Sequence, residues 1–304
     1  MSRQKAIDSI IRRILAGEAE RHSLDWIKRA ECKRYRIANM IKNPEILSRF
    51  PKERMNPEFK ALLLKRPTRT LSGVTPIAVM VKPQGSCRHG CIYCPTSGLA
   101  AKSYSGFEPA ALRSRQAGFD PLLQTSGRVA QLESAGHPAD KCEIIIMGGT
   151  FLEMDQEYKR SFIKGVYDGL NGSVSRTMED AIHANESAKH RAIGLTLETR
   201  PDACANHIQE MLSYGATRVE LGVQHADDRI YKIIRRGHTV KDVVASTCAL
   251  KNASFKVLYH IMPGLPGSSP EKDVSFVRDL FSQERFCPDM LKIYPCLVIQ
   301  GTVL

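Results

Sequence analysis

From residue 74 onward, short apolar runs alternate with helical stretches, and this alternation constrains the fold more than any other feature of the chain. The apolar runs fall at 77–81, 143–147, 193–198, 218–223, 256–261 and 291–294. Between them the helical periodicity recurs at 109–117, 127–136, 155–170, 178–189, 205–214, 228–234, 240–251 and 269–282. Strands that alternate with helices pair in parallel, because each return crossing needs a helix-sized connection of fixed hand. The expectation is an α/β fold, a partial (β/α)6 TIM-like barrel, with its chemistry at the C-terminal ends of the strands.

Residues 1–73 have a different character. They hold 18 Lys and Arg against 8 Asp and Glu, whereas the remaining 231 residues hold 26 against 24, so nearly all of the net charge of +12 sits in this first quarter. Ala6, Ile7, Ile10, Ile11, Ile14 and Leu15 recur at helical spacing up to Gly17, and Ser23 is placed to cap a second helix running to Asn43. Packing of the apolar faces would leave Arg12, Arg13, Lys28, Arg29, Lys33, Arg34 and Arg36 outward. Such a field attracts polyanions, nucleic acid foremost, although a solvated helical surface has the same composition. The domain boundary is expected in the stretch Arg66 to Gly73, giving a basic helical segment at 1–73 and an α/β core at 74–304.

No run approaches the roughly 18 apolar residues of a membrane span. Nine cysteines, six of them scattered, do not read as a secreted disulfide framework. A cytoplasmic protein with no membrane partner is therefore expected.

The other three cysteines form Cys87-x3-Cys91-x2-Cys94, in a loop directly after the first strand. Three thiolates from one loop can hold three irons of a [4Fe–4S] cluster and leave the fourth iron open to a small molecule. The same loop also suits a zinc site completed by His89. Polar groups and glycines then collect at the later strand ends, in Met147-Gly-Gly-Thr150, Glu198-Thr-Arg-Pro201, Glu220-Leu-Gly-Val-Gln224 and His260-Ile-Met-Pro-Gly-Leu-Pro-Gly267. Paired glycines let backbone approach a ligand closely, whereas Glu198 with Arg200 could equally form a structural ion pair.

The cysteine loop resembles that of the radical S-adenosylmethionine (SAM) superfamily. Within it, the segments Ser103–Pro109, Phe119–Gln124, Gly136–Lys141, Ile146–Phe151, Arg236–Thr239 and Lys292–Pro295, with those above, resemble the family of Elongator catalytic subunits over about residues 65–304. The resemblance implies that Cys87, Cys91 and Cys94 hold a [4Fe–4S] cluster. It also implies that Tyr93, Gly148, Gly149, Thr150, Glu198, Arg200 and Gln224 line the SAM site and that Lys141 contacts acetyl-CoA. The implied reaction begins with a 5′-deoxyadenosyl radical that takes hydrogen from the acetyl methyl group of acetyl-CoA. The new carbon radical adds to carbon 5 of the wobble uridine of tRNA, and hydrolysis leaves a carboxymethyl group.

By the same resemblance tRNA is the macromolecular partner, with Arg12, Arg13, Lys33 and Arg34 of the basic segment as its expected contacts; Arg235, Arg236 and His238, in the loop after the fourth strand, are placed for tRNA or barrel-mouth contacts, a solvated surface being the alternative. Other Elongator subunits or a second copy of the chain are further expected partners. Thr150 stands where the superfamily often has an acidic residue, and Pro95-Thr-Ser-Gly98 replaces the family's paired glycine. The family's C-terminal acetyltransferase domain is expected to be absent. Two other readings stay open on the residues alone: a radical SAM enzyme acting on another RNA or a small substrate, and a noncatalytic tRNA-binding module with a structural metal site.

Overall fold

The computed structural model describes residues 2–83, 87, 89–149 and 151–304. The chain divides into two compact units, one formed by Met1–Thr75 with Gly127–Lys141, the other by Pro76–Ser126 with Cys142–Leu304.

In the first unit, α1 (Ser2–Leu15), α2 (Leu24–Arg34), α3 (Asn43–Leu47) and α4 (Pro57–Leu63) enclose a small core that includes Ile10, Ile14, Ile27, Ile41, Ile46 and Leu63. The apolar stripe of α1 supplies Ala6, Ile7, Ile10, Ile11 and Ile14 to it, as its spacing predicts. The second helix is shorter than expected. It stops at Arg34, where Arg36 takes a left-handed φ of 54° and the Ile37 amide bonds back to the Cys32 carbonyl at 2.8 Å, a six-to-one closure of the helix end. Nor does Ser23 cap it through its side chain.

Lys28, expected to point outward, is fully buried. Its ammonium donates to Asp25 at 2.9 Å and to the Asn43 side chain at 3.0 Å, and Asn43 in turn donates to the Leu63 carbonyl at 2.7 Å. One buried lysine therefore ties three helices together. Residues 127–141, distant in sequence, join this unit through His137, which lies 2.9 Å from the Thr70 hydroxyl and 3.0 Å from the Lys65 carbonyl.

The second unit is built on one sheet with strands in sequential order, β1 (Thr75–Met80), β2 (Lys141–Met147), β3 (Arg191–Thr199), β4 (Arg218–Gln224), β5 (Lys256–Ile261) and β6 (Met290–Ile293). The pairings β3–β4, β4–β5 and β5–β6 are parallel. The fold is the expected partial barrel of six strands. Its helices are α5 (Pro109–Gln116), the start of α6 (Pro121–Ser134), whose residues from 127 on belong to the first unit, α7 (Gln156–Asn171), α8 (Met178–Asn185), α9 (Pro201–Cys204), α10 (Ile208–Ser213), α11 (Asp228–Ile233), α12 (Val240–Asn252) and α13 (Pro270–Ser282).

Helix α6 starts six residues before the expected 127. Asp120 accepts the Leu123 amide at 2.8 Å and Pro121 fills the first helical position, both ordinary start signals. In β4 the residues Val219, Leu221 and Val223 are fully buried, and the alternate residues Glu220, Gly222 and Gln224 take the other face. Among the described residues, no helix is long and apolar enough to cross a membrane.

Candidate active site

Register brings the polar residues together. Glu198 of β3 and Glu220 of β4 are direct partners in the sheet, as are His260 of β5 and Lys292 of β6. Residues opposite one another on neighbouring strands share a face. Two buried carboxylates side by side would repel each other, and each is stabilised separately. Glu198 lies against the Tyr104 hydroxyl and accepts the Gly148 amide at 3.0 Å. Glu220 accepts from His260 at 2.6 Å and from the Lys292 ammonium.

Burial alone would push the Glu220 carboxyl up, but these two donors hold it below the usual carboxylate range. Its Oε1 has no hydrogen-bond partner among the described residues, which leaves an acceptor for a hydroxyl or ammonium group of a bound molecule. Glu198, Glu220 and His260 each place one ligand atom within 4.8 Å of the others. Lys292 already supplies the cation there, so the cluster reads as a polar recognition surface and not as a metal centre.

Gly148, directly after β2, has a φ of 132°, and a Cβ there would meet Val81 at 2.6 Å. Only glycine lets the amide reach Glu198 in this conformation.

The cysteine loop follows β1. Cys87, Cys91 and Cys94 are all free thiols, with Cys91 buried. The loop is held by an Ile92 amide bond to the Ile234 carbonyl at 3.1 Å and a Cys94 amide bond to the Cys91 carbonyl at 3.1 Å. Burial raises the Cys94 thiol, and the Ser103 hydroxyl 3.6 Å away partly offsets this. Tyr93, buried in the same loop, is likewise pushed up by desolvation and keeps its proton.

Behind the loop lies Arg236, whose Nη1 donates to Cys91 Sγ at 3.5 Å and whose Nη2 donates to the Gly222 carbonyl. A side chain on Gly222 would meet that guanidinium at 2.6 Å, so the strand is recessed to admit it. Burial by itself would lower the pKa of Arg236. Tyr93 and Cys91 facing it raise it instead, and the group stays charged.

Around Arg236 the network continues. Arg200 donates to the Arg236 carbonyl at 2.6 Å and to Asp202 at 3.0 Å. The His238 side chain is wholly buried against the Tyr231 ring, its Nδ1 3.8 Å from Asp202 and outside hydrogen-bond range. Burial, with Arg236 and Arg200 nearby, pushes its pKa down to about 2 and keeps the imidazole neutral. His89, the candidate fourth ligand of a zinc site, has one nitrogen paired and the other packed against the backbone. Its Nε2 lies 3.0 Å from Asp202, and its Nδ1 abuts Gly237, where an added Cβ would collide with it. Gly237 has a φ of 79°, so the glycine serves both the turn and the close approach.

These observations fit an iron–sulfur cluster better than zinc. Three free cysteines share one loop, the histidine that would complete a zinc site has its Nδ1 packed against Gly237, and a buried guanidinium with no carboxylate within ion-pair distance among the described residues faces a cysteine sulfur. An uncompensated buried charge costs several kcal/mol, and bound thiolates would neutralise this one.

The other expected site residues separate. Gly148, Glu198 and Arg200 lie in these networks, and Gly149 follows Gly148 in the same loop. Gln224, at a register irregularity with a left-handed φ of 69°, uses its carbonyl to accept the Met262 amide at 2.8 Å. Thr150 lies outside the described residues. Lys141 is exposed as the first residue of β2, at the opposite end of that strand from Met147. In the first unit Arg12, Lys33 and Arg34 are exposed, and Arg13 is half-buried between Glu18 and Glu31.

Of the three basic residues expected to meet RNA after the fourth strand, only Arg235 is exposed. Arg236 and His238 are corrected: both are buried, with the Arg236 guanidinium turned toward the cysteine loop. Tyr104 joins the site without a mark in the sequence pattern. It sits in the segment Ser103–Pro109, and a tyrosine that packs in a core gives no different signal.

Residues 81–280 match the radical SAM superfamily, and residues 3–71 match the ELP3 N-terminal domain. The chain is similar to a tRNA uridine(34) acetyltransferase of Dehalococcoides mccartyi, 52% identical over 242 residues, 79% of this chain and 52% of that protein. It is similar to human Elongator complex protein 3, 36% identical over 98% of this chain and 57% of that protein. The structure of archaeal Methanocaldococcus infernus Elp3 with an N-terminal deletion matches at 44% identity and a TM-score of 0.65, over 76% of this chain and 47% of that one. The chain thus spans about half the length of the curated relatives it matches.

Proposed function

This chain belongs to the radical SAM superfamily, and we propose that it is the radical-generating and RNA-binding part of a tRNA-modifying enzyme acting at carbon 5 of the wobble uridine, with acetyl-CoA as the carbon donor. The observation that carries the reading is the loop of three free cysteines after β1, backed by the buried Arg236 guanidinium and set beside the Glu198 and Glu220 cluster. The names of the relatives support the tRNA substrate and the acetyl donor.

In this reading Cys87, Cys91 and Cys94 hold the cluster, which when reduced and bound to SAM supplies a 5′-deoxyadenosyl radical. The chain's own groups do the rest. Glu198, fixed by Tyr104 and Gly148, and Glu220, fixed by His260 and Lys292, accept hydrogen bonds from the bound amine and hydroxyl groups. The neutral His238 and the apolar faces of the strands keep the cluster side of the site dry. Lys141 contacts acetyl-CoA. Arg12, Arg13, Lys33, Arg34 and Arg235 meet tRNA phosphates, and the target uridine leaves its stack to reach the strand ends. The reaction takes place in the cytoplasm.

The test is anaerobic turnover of the reconstituted, reduced protein with SAM, with and without tRNA and acetyl-CoA, followed by nucleoside mass spectrometry. The reading predicts 5′-deoxyadenosine formation that rises with tRNA, together with a carboxymethyl-type adduct on uridine. Equal SAM cleavage with and without tRNA, and no adduct, would overturn the tRNA assignment.

A further inference from the structure

Arg236, expected to meet tRNA, is instead a buried charge whose position that role does not explain. It is buried, it is 145 residues from Cys91 in sequence, and its guanidinium is fixed by three features at once: the Cys91 sulfur, the Gly222 carbonyl, and a glycine at 222 that leaves it room. Its backbone carbonyl is held by Arg200. Asp202, the acidic residue near this network, bonds Arg200 and His89 and leaves Arg236 without a carboxylate of its own among the described residues. A guanidinium held this firmly against one of three clustered cysteines is placed to act on whatever those cysteines bind.

We propose that Arg236 is a positioning residue for the cluster held by Cys87, Cys91 and Cys94, orienting the Cys91 sulfur and making the cluster easier to reduce. The proposal rests on the cluster assignment above. Reduction adds one electron from a low-potential one-electron donor and takes the core from the 2+ to the 1+ state without breaking a bond. With three thiolates attached, the site becomes more negative by one charge in that step. A fixed positive charge and an N–H···S hydrogen bond both favour the more negative state, and hydrogen bonds to the sulfurs are among the features that set such potentials.

The experiment uses the full chain, reconstituted anaerobically, and follows the reduced cluster by electron paramagnetic resonance during a dithionite titration without SAM. Iron and sulfide are measured on every sample. In Arg236→Gln, the ratio of reduced to oxidised cluster at the wild-type midpoint should fall about tenfold, which is 59 mV for a one-electron couple. Arg236→Lys keeps the charge but cannot donate to Cys91 and Gly222 together, and its midpoint should fall between the two. Lys232→Gln, an exposed charge on α11, should titrate like the wild type.

Iron-loaded Arg236 variants with the wild-type midpoint would overturn the proposal, as would an equal shift in Lys232→Gln. If Arg236→Gln does not hold iron, Arg236→Lys decides in the same way. A wild-type chain that takes up no cluster would remove the parent assignment as well, an outcome distinct from a loaded cluster whose potential ignores Arg236.

Discussion

The Tyr104 hydroxyl lies 2.9 and 2.8 Å from the two carboxylate oxygens of Glu198, ninety-four residues away and buried. The single proton serves one oxygen at a time, and the Gly148 amide serves Oε2. Removing the hydroxyl leaves a buried carboxylate with one donor. Tyr104→Phe should therefore cost about 1.5 kcal/mol, the range for hydrogen bonds to charged groups, read as a lower urea midpoint at an unchanged slope. Glu198→Gln keeps an acceptor oxygen and should cost less; an equal or greater loss would mean that the charge of Glu198 matters more than its hydrogen bonds.

Lys292 and His260 together keep Glu220 ionised against its burial. A carboxyl held below its ordinary pKa stabilises the fold above that pKa, and the contribution disappears as pH falls through the folded value. Lys292→Met should lose about 2 kcal/mol near neutrality. The gap from the wild type should narrow as pH falls below about 4.3, the unfolded carboxyl value, and close below the lowered folded pKa of Glu220. Chemical denaturation across pH reads this directly; a gap constant down to pH 3 would contradict it.

His238 works in the opposite sense. Its imidazole is neutral in the fold, with a pKa near 2, whereas the unfolded chain takes up a proton near 6.5. Between those values the unfolded state binds one more proton, so stability falls as pH drops below 6.5. The full effect is about tenfold in the folding constant per pH unit. His225, also lowered by burial, adds to the same limb. His238→Phe, which retains a ring against Tyr231, should flatten that limb by close to one proton between pH 5 and 6.5. An unchanged pH slope would show that His238 is accessible to protons in the folded state.

The strands were legible because each is a short apolar run, and the parallel order followed from the helices between them. What the sequence hid was non-local or local in an unmarked way. Arg236 reads as an exposed neighbour of Arg235, since only the recess at Gly222 and the position of Cys91 make its burial favourable. The end of α2 rests on Arg36 in a left-handed conformation that usually belongs to glycine or asparagine. The grouping of residues 127–141 with the first unit depends on contacts such as Gly136 beside Leu47 and Leu64, which no pattern within that segment announces. Helix α6 is the opposite case: Asp120 and Pro121 were visible start signals six residues before the expected start.

The proposed RNA surface of the first unit makes an ionic-strength prediction. Reversing Arg12, Lys33 and Arg34, all exposed, should weaken tRNA binding most at low salt. It should also flatten the dependence of log affinity on log salt by about one for each phosphate that is no longer neutralised. Arg13 should contribute less, because Glu18 at 2.7 Å and Glu31 at 3.4 Å already engage it. Equal affinity of the wild-type and reversed proteins across the salt series would place the RNA elsewhere.

The most direct test of the central assignment is metal and sulfide analysis of the anaerobically purified chain beside Cys91→Ala, with 5′-deoxyadenosine measured after reduction in the presence of SAM. A cluster on Cys87, Cys91 and Cys94 predicts about four irons per chain, absent or strongly reduced in the variant, and 5′-deoxyadenosine formed only by the wild type. One zinc per chain, no iron and no SAM cleavage would contradict the account.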